Sequence, residues 1–259
     1  MKIKVLASGS KGNAVYVETS SCKLLIDCGI THKKICEKLE SENKKIDIDG
    51  CLITHEHIDH INGLKVFLKY NDIPVYTSNG TKSMINHKFC GLLDRNCITL
   101  NNLESIYINN LKVTPFLISH DALEPFGYIL EEDNEKVVFL TDSGYVDKKY
   151  FELLSNANLY YFESNHDIEM LINSDRPYHL KQRILSDQGH LSNLDSALNF
   201  MKICGDNTKK LILAHLSEEC NTKECVIHTY TEIFEEHEFN RDVEIFIASQ
   251  NEVLEVICD

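Results

Sequence analysis

The sequence has no run of 18 apolar residues, no Cys-x-x-Cys pair, no internal repeat and no stretch of biased composition. The first absence excludes a transmembrane helix. The second removes the commonest redox and zinc-ribbon motifs, although the chain carries 10 cysteines. The last two exclude solenoid, collagen-like and low-complexity architectures. The opening Met1–Leu6 reads as a strand and lacks the long apolar region and small-residue cleavage site of a secretion signal. The expectation is therefore a cytoplasmic protein with reduced thiols and no membrane partner. What is present is ordinary for a globular chain: 259 residues, 43% hydrophobic and 25% charged.

Basic residues are also scarce relative to acidic ones, 26 against 40, for a net charge of −14. That balance at first argues against a nucleic-acid partner. Its distribution weakens the argument. Residues 216–259 hold 12 acids and 2 bases, whereas residues 1–215 hold 28 and 24, so −10 of the net charge lies in the C-terminal part. Screening over about 8–10 Å in physiological salt makes that acidity a poor guide to a site built from the first 215 residues.

Short apolar runs at 2–8, 13–18 and 23–28 predict a β-meander. A charged helix is expected near 31–39, a buried strand at 50–54, a helix over 61–70 and a strand restarting at 74–76. A second β-rich block covers 106–108, 112–118, 126–130 and 137–140. Helices at 148–154, 194–204 and 222–236 then alternate with strands at 159–162 and 210–214. The segments 243–247 and 252–257 read as a closing hairpin. Two β-rich halves with helices outside predict an α/β protein with two packed sheets in a single domain.

The informative segment is Thr54-His55-Glu56-His57-Ile58-Asp59-His60, directly after a buried strand. Four metal-competent side chains fall within six residues. In an extended turn His55 and His57 share a face, while Asp59 and His60 open the following helix and turn toward a second ion. It is not the H-E-x-x-H of metalloproteases, because the second histidine of that motif would fall at Asp59. Asp27, His120, Asp142 and His215 each close an apolar strand with one polar group, and strand C-termini are where α/β sheets gather their sites. A hydrogen-bonded loop residue explains any one of these; four beside H-x-H-x-D-H point to chemistry.

In this order the residues resemble the metallo-β-lactamase-fold hydrolases, over nearly the whole chain. The resemblance implies a four-layer αββα sandwich and two divalent ions, zinc first and manganese or iron as alternatives. It implies that His55, His57 and His120 hold one ion, that Asp59, His60 and His215 hold the other, and that Asp142 bridges them. Asp27 would orient those ligands. Glu163, ending the strand Tyr160-Tyr161-Phe162, and His190, in Gly189-His190-Leu191-Ser192-Asn193, resemble the proton-donating pair of the nuclease branches. The alternative is a surface glutamate and a helix-capping histidine. Ala7-Ser8-Gly9-Ser10-Lys11-Gly12-Asn13, Glu163-Ser164-Asn165-His166-Asp167 and His215-Leu216-Ser217 narrow the resemblance to the YycJ/WalJ family, compact bacterial proteins regarded as DNA exonucleases. The stretch between Asp142 and His190 is too short to hold a β-CASP cap as well.

The expected activity is phosphodiester hydrolysis through a metal-activated hydroxide, with Asp59, Glu163 and His190 in catalytic roles and DNA the favoured substrate from the resemblance. A glyoxalase-II-like thioester or lactone hydrolase uses the same ligands, but its leaving group needs no proton donor. A metal-stabilised interaction protein without turnover is a third class, against which an intact ligand set argues. Ser10, Lys11 and Asn13 offer N–H groups or a cation to a phosphate, or simply close a hairpin; they do not form a P-loop. Ser192 and Asn193 are further candidate substrate contacts. Arg176, Lys181 and Arg183 read equally as a backbone-phosphate patch and as a solvated helix face. His32, His87, His228 and His237 read as solvated residues, His166 and His179 as surface residues with substrate contact as the alternative, and the acidic run at 232–238 as a solvated face.

Overall fold

The computed structural model describes residues 1–41 and 45–258. These fall into two compact units. One comprises Met1–Leu117, Ala122–Glu135 and the segment from Ala248 onward; the other comprises Ile118–Asp121 and Lys136–Ile247. In chain order the first unit carries β1 (Lys2–Ala7), β2 (Ala14–Glu18), β3 (Lys23–Ile26), α1 (His32–Lys38), β4 (Gly50–Leu52), α2 (Ile58–Ile61) and α3 (Leu64–Tyr70). It continues with β5 (Val75–Ser78), α4 (Asn79–Phe89), β6 (Cys97–Leu100), β7 (Ile106–Ile108), β8 (Leu111–Leu117) and β9 (Phe126–Glu132). The second carries β10 (Glu135–Leu140), α5 (Phe151–Leu154), β11 (Leu159–Glu163), α6 (Ile168–Asn173), α7 (Tyr178–Ile184) and α8 (Asn193–Ile203). It ends with β12 (Lys210–Ala214), α9 (Lys223–Glu236) and β13 (Glu244–Ile247), after which β14 (Leu254–Ile257) returns to the first unit.

In the first unit β1, β2 and β3 form the expected antiparallel meander. β4, β5 and β6 add to β3 in parallel. Parallel addition needs crossovers, and α1 and α4 are among the segments that supply them. The core of this unit is a cluster that includes Leu6, Leu25, Ile53, Leu64, Phe67 and Ile85. In the second unit β10, β11, β12 and β13 are all parallel. β11 is buried at every residue and β12 at all but its first, as a strand covered on both faces requires. Strand C-termini therefore converge on one edge of this sheet, where Asp142, Glu163 and His215 lie at or just beyond β10, β11 and β12.

Three expectations change. The helix over 61–70 is two helices, α2 and α3, broken at Asn62-Gly63. A Cβ on Gly63 would lie 2.0 Å from the Ile30 carbonyl oxygen, so the chain is drawn against the 28–30 loop there, and the Gly63 amide donates to Cys28 (2.8 Å). The closing hairpin does not form. β13 runs parallel to β12, whereas β14 pairs antiparallel with β1; two short apolar runs do not reveal their partners. Finally, α4, β6, α6 and α7 carry too little apolar periodicity to be read from sequence. Ser78 nonetheless caps α4 by accepting from the Thr81 amide, and Cys90 ends it in the left-handed region. Among the described residues no helix is long and apolar enough to cross a membrane.

Candidate active site

In the first unit the chain leaves β4 through Ile53 and Thr54 and enters α2 at His57, with His55, His57, Asp59 and His60 on this turn. The turn is laced to the loop after β3. The Cys28 amide donates to the His60 carbonyl (2.8 Å), the Asn13 amide to the Asp59 carbonyl (2.7 Å) and the Gly29 amide to the Asn13 carbonyl (2.8 Å). A Cβ on Gly29 would fall 1.6 Å from the Asp59 carbonyl oxygen, so only glycine permits this approach. Asp27, 4% exposed, sits at the centre. Its Oδ1 accepts from the Thr54 amide (2.8 Å), and its Oδ2 accepts from Thr54 Oγ1 (2.9 Å) and lies 2.7 Å from His60 Nδ1.

These contacts fix tautomers. A carboxylate only accepts, so His60 carries its proton on Nδ1 and leaves the lone pair on Nε2. Thr54 Oγ1 has given its hydrogen to Asp27, so it accepts from His55 Nδ1 (3.0 Å), and His55 likewise keeps its lone pair on Nε2. The His55 and His57 rings meet edge to face at 4.6 Å. Asn13 accepts from the Gly9 amide through Oδ1 (2.9 Å) and turns its Nδ2 toward His60 Nε2 (3.1 Å) and Asp59 Oδ2 (3.4 Å). The glycine loop is thus the hairpin connection of β1 and β2. It is pinned by Gln250, which accepts from the Lys11 amide and donates to the Gly12 carbonyl. Ser10 and Lys11 are exposed on it. Glu56, between the two motif histidines, is committed to the fold, accepting from the Leu123 amide (2.8 Å) and Thr81 Oγ1 (3.3 Å).

The second unit gathers its polar groups from strand ends and, for His190, from the loop between α7 and α8. One donor atom each from Asp142, Glu163, His190 and His215 all lie within 4.8 Å of one another. Glu163 is fully buried and organises the group. Its Oε1 lies 2.8 Å from His190 Nδ1 and 3.1 Å from His215 Nδ1, and its Oε2 accepts from the Ser143 (2.9 Å) and Leu191 (3.2 Å) amides. Burial alone raises this carboxyl's pKa, but the charge and hydrogen bond of His190, with a further bond from His215, outweigh it and hold it well below the usual carboxylate range. With Nδ1 of His215 turned to Glu163, its lone pair is on Nε2. His120 shows the same pattern, since Nδ1 lies 3.2 Å from the Gly189 carbonyl, an acceptor only. Asp142 Oδ1 lies 3.4 Å from His215 Nδ1 and 3.8 Å from His190 Nδ1.

Backbone conformation aims several of these groups. Asp27, Asp142 and His215 all adopt positive φ, at 60°, 58° and 56°. Each turns the chain sharply at the end of a strand. Asp and His are among the few non-glycine residues that enter this region readily. The sequence shows a polar residue closing an apolar run; it does not show the kink.

Ser192 and Asn193, candidate substrate contacts, are 2% and 1% exposed and belong to the scaffold. Ser192 caps α8 by accepting from the Asp195 amide (3.0 Å). Asn193 accepts from Ser164 Oγ (2.7 Å) and donates to Asn221 (3.0 Å). Asn165, in the Glu163–Asp167 segment, donates to the His215 carbonyl (2.8 Å). His166 is not a surface residue: it is 1% exposed, and neither ring nitrogen has a hydrogen-bond partner. Burial pushes its pKa down to about 4. His32 is also buried, stacked on Tyr70 at 5.0 Å. His87, His179, His228 and His237 are exposed as expected. The basic residues before His190 are each engaged: Arg176 Nε with Glu219 (2.8 Å), Lys181 Nζ with the Ile172 and Ser174 carbonyls (2.7 and 2.6 Å), and Arg183 Nε with Asp121 (2.5 Å).

The donor set fits divalent metal ions. His55, His60, His120 and His215 each turn Nδ1 to an oxygen acceptor and keep Nε2 for coordination, the arrangement by which proteins orient imidazole ligands. The motif, the strand-end polar residues and the two mixed sheets with their helices define a β-lactamase-superfamily protein, and the chain belongs to that superfamily: the model of the Beta-lactamase superfamily domain matches residues 23–216. Its fold is the metallo-β-lactamase fold. Among curated proteins, the chain is 42% identical to Exodeoxyribonuclease WalJ of Streptococcus pneumoniae serotype 2 (strain D39 / NCTC 7466) over 226 residues, 86% of this chain and 84% of that one. It is 38% identical to Exodeoxyribonuclease YycJ of Bacillus anthracis over 240 residues, 92% of this chain and 91% of that one. Among solved structures, the metallo-β-lactamase fold protein YhfI from Bacillus subtilis superposes with a TM-score of 0.73 at 18% identity, covering 99% of this chain and 100% of that one. Human tRNase Z, short form, gives 0.66 at 18% identity, covering 98% of each.

Proposed function

We propose that this protein is a metal-dependent exodeoxyribonuclease of the cytoplasm. His55, His57 and His120 would hold one divalent ion and Asp59, His60 and His215 the other, with Asp142 a further carboxylate for the pair. Zinc is the first expectation for this nitrogen and oxygen set, with manganese or iron as alternatives. The names of the two curated relatives support DNA as substrate. All ten cysteines are unbridged, which fits a reducing compartment.

The observation that carries the nuclease reading is the pairing of His190 with the buried Glu163. Of the four clustered side chains in the second unit, those of Asp142, Glu163 and His215 are at most 3% exposed, whereas that of His190 is 19% exposed. His190 is thus the member that reaches a substrate. When bound, the ions supply Lewis-acid activation of water and of the phosphoryl oxygens. His190, as imidazolium, keeps Nδ1–H on Glu163 and gives the Nε2 proton to the sugar oxygen as its bond to phosphorus breaks. The ionised carboxylate stabilises the imidazolium beforehand and holds the neutral ring in the right tautomer afterwards. A thiolate leaving from a thioester needs no such donor.

The test incubates metal-loaded protein with 5′-labelled single- and double-stranded DNA and, separately, with a thioester. Stepwise degradation of DNA is expected. Thioester cleavage with intact DNA would replace this reading by that of an acyl hydrolase.

A further inference from the structure

We propose that Arg183 is a second phosphate-binding group of the site, holding the backbone phosphate next to the one being cleaved. The inference rests on the nuclease reading above. Arg183 lies in the last turn of α7, and its backbone is locked to the His190 loop. A Cβ on Gly189 would meet the Ile184 and Arg183 carbonyl oxygens at 2.1 and 2.4 Å, and the His190 amide donates to Ile184 (3.0 Å). Its side chain is aimed by Asp121, whose Oδ2 accepts from Nε at 2.5 Å. The other oxygen of that carboxylate lies 3.5 Å from His120 Nε2, the nitrogen assigned to the metal. A single carboxylate therefore lies between the guanidinium and a proposed ligand.

The neighbouring cations serve the fold instead. The Arg176 side chain is 21% exposed and paired with Glu219, and Lys181 caps the carbonyls at the end of α6, whereas the Arg183 side chain is 53% exposed. A guanidinium is a rigid planar fork suited to phosphate, and the bond from Nε to Asp121 sets its plane. Such a carboxylate-oriented arginine selects a strand over an isolated phosphodiester, because it recognises a phosphate that does not react.

The experiment compares wild type, R183A and R183K, all metal-loaded, on a short single-stranded oligodeoxynucleotide and on bis(p-nitrophenyl) phosphate, which has one phosphate. For R183A the loss in kcat/KM is expected to be about tenfold greater on the oligonucleotide, mainly through KM. Binding of a phosphorothioate strand should show a log–log salt slope shallower by about 0.7. R183K, which keeps the charge, should keep the slope. Equal losses on both substrates would make Arg183 a support for Asp121 and His120 only; an unchanged slope would overturn the proposal outright. Circular dichroism and metal content separate both results from misfolding. Wild-type protein that hydrolyses the small diester but neither binds nor degrades DNA would overturn the nuclease reading, whereas wild-type nuclease with an unaffected variant overturns only the role of Arg183.

Discussion

The two units carry their polar groups in opposite ways. In the first, His55, His57, Asp59 and His60 are contiguous, and their orientation comes from neighbouring backbone and from Asp27 and Thr54. In the second, His120, Asp142, Glu163, His190 and His215 come from separate segments, and one carboxylate, Glu163, ties His190, His215 and the amides of Ser143 and Leu191 together. A local turn divides its support between a carboxylate, Asp27, and backbone bonds to neighbouring loops. A set assembled from separate segments depends on a hub. Damage to a supporting residue should therefore stay confined in the first unit and spread in the second.

Removing a proposed ligand sets the upper bound for both. His57→Ala and Asp142→Ala should each lose metal, by elemental analysis, and about 10³-fold or more in phosphodiesterase activity. Next come the members of the second set. His190→Ala should lower kcat by about 10²–10⁴-fold with metal content intact; full activity in this variant would remove its role as donor. Glu163→Gln should lower turnover comparably and also weaken metal retention, because its amide cannot accept from both histidines and both backbone amides. Metal retention equal to that of His190→Ala would break the idea of a hub. In the first unit Asp27→Asn should cost only about 10–100-fold in metal affinity, read by competition with a chelating dye. The smallest effect concerns stability. His166 stays neutral in the fold down to about pH 4, while the unfolded chain takes up that proton near pH 6.5. Its burial therefore contributes stability present in full above pH 6.5 and lost as pH falls toward 4, at up to about 1.4 kcal/mol per pH unit. Urea midpoints of His166→Phe should be flatter over that interval than those of wild type.

The same contrast explains how far the sequence could be read. The contiguous motif was legible because its spacing carries its chemistry. Asp27, Asp142 and His215 were legible as lone polar groups ending apolar strands, and β12 and the opening meander were legible from pattern alone. What escaped is set by distant partners. Ser192 and Asn193 look like exposed loop residues until Asp195, Ser164 and Asn221 enclose them. His166 looks hydrophilic, but the short parallel bridge between His166 and Ser192 draws it inward. The expected hairpin of β13 and β14 failed because each strand pairs with an element remote in sequence, β12 for one and β1 for the other.

The left-handed residues at positions 27, 142 and 215 also narrow the alphabet open to evolution. Each position answers to two filters, one chemical and one conformational, and few amino acids pass both. Asp142→Glu keeps the charge but moves it on a longer arm from an unfavourable backbone, whereas Asp142→Gly keeps the bend and discards the carboxylate. Libraries randomised at these codons should yield well-folded glycine variants that are catalytically dead, and β-branched variants that fail at both.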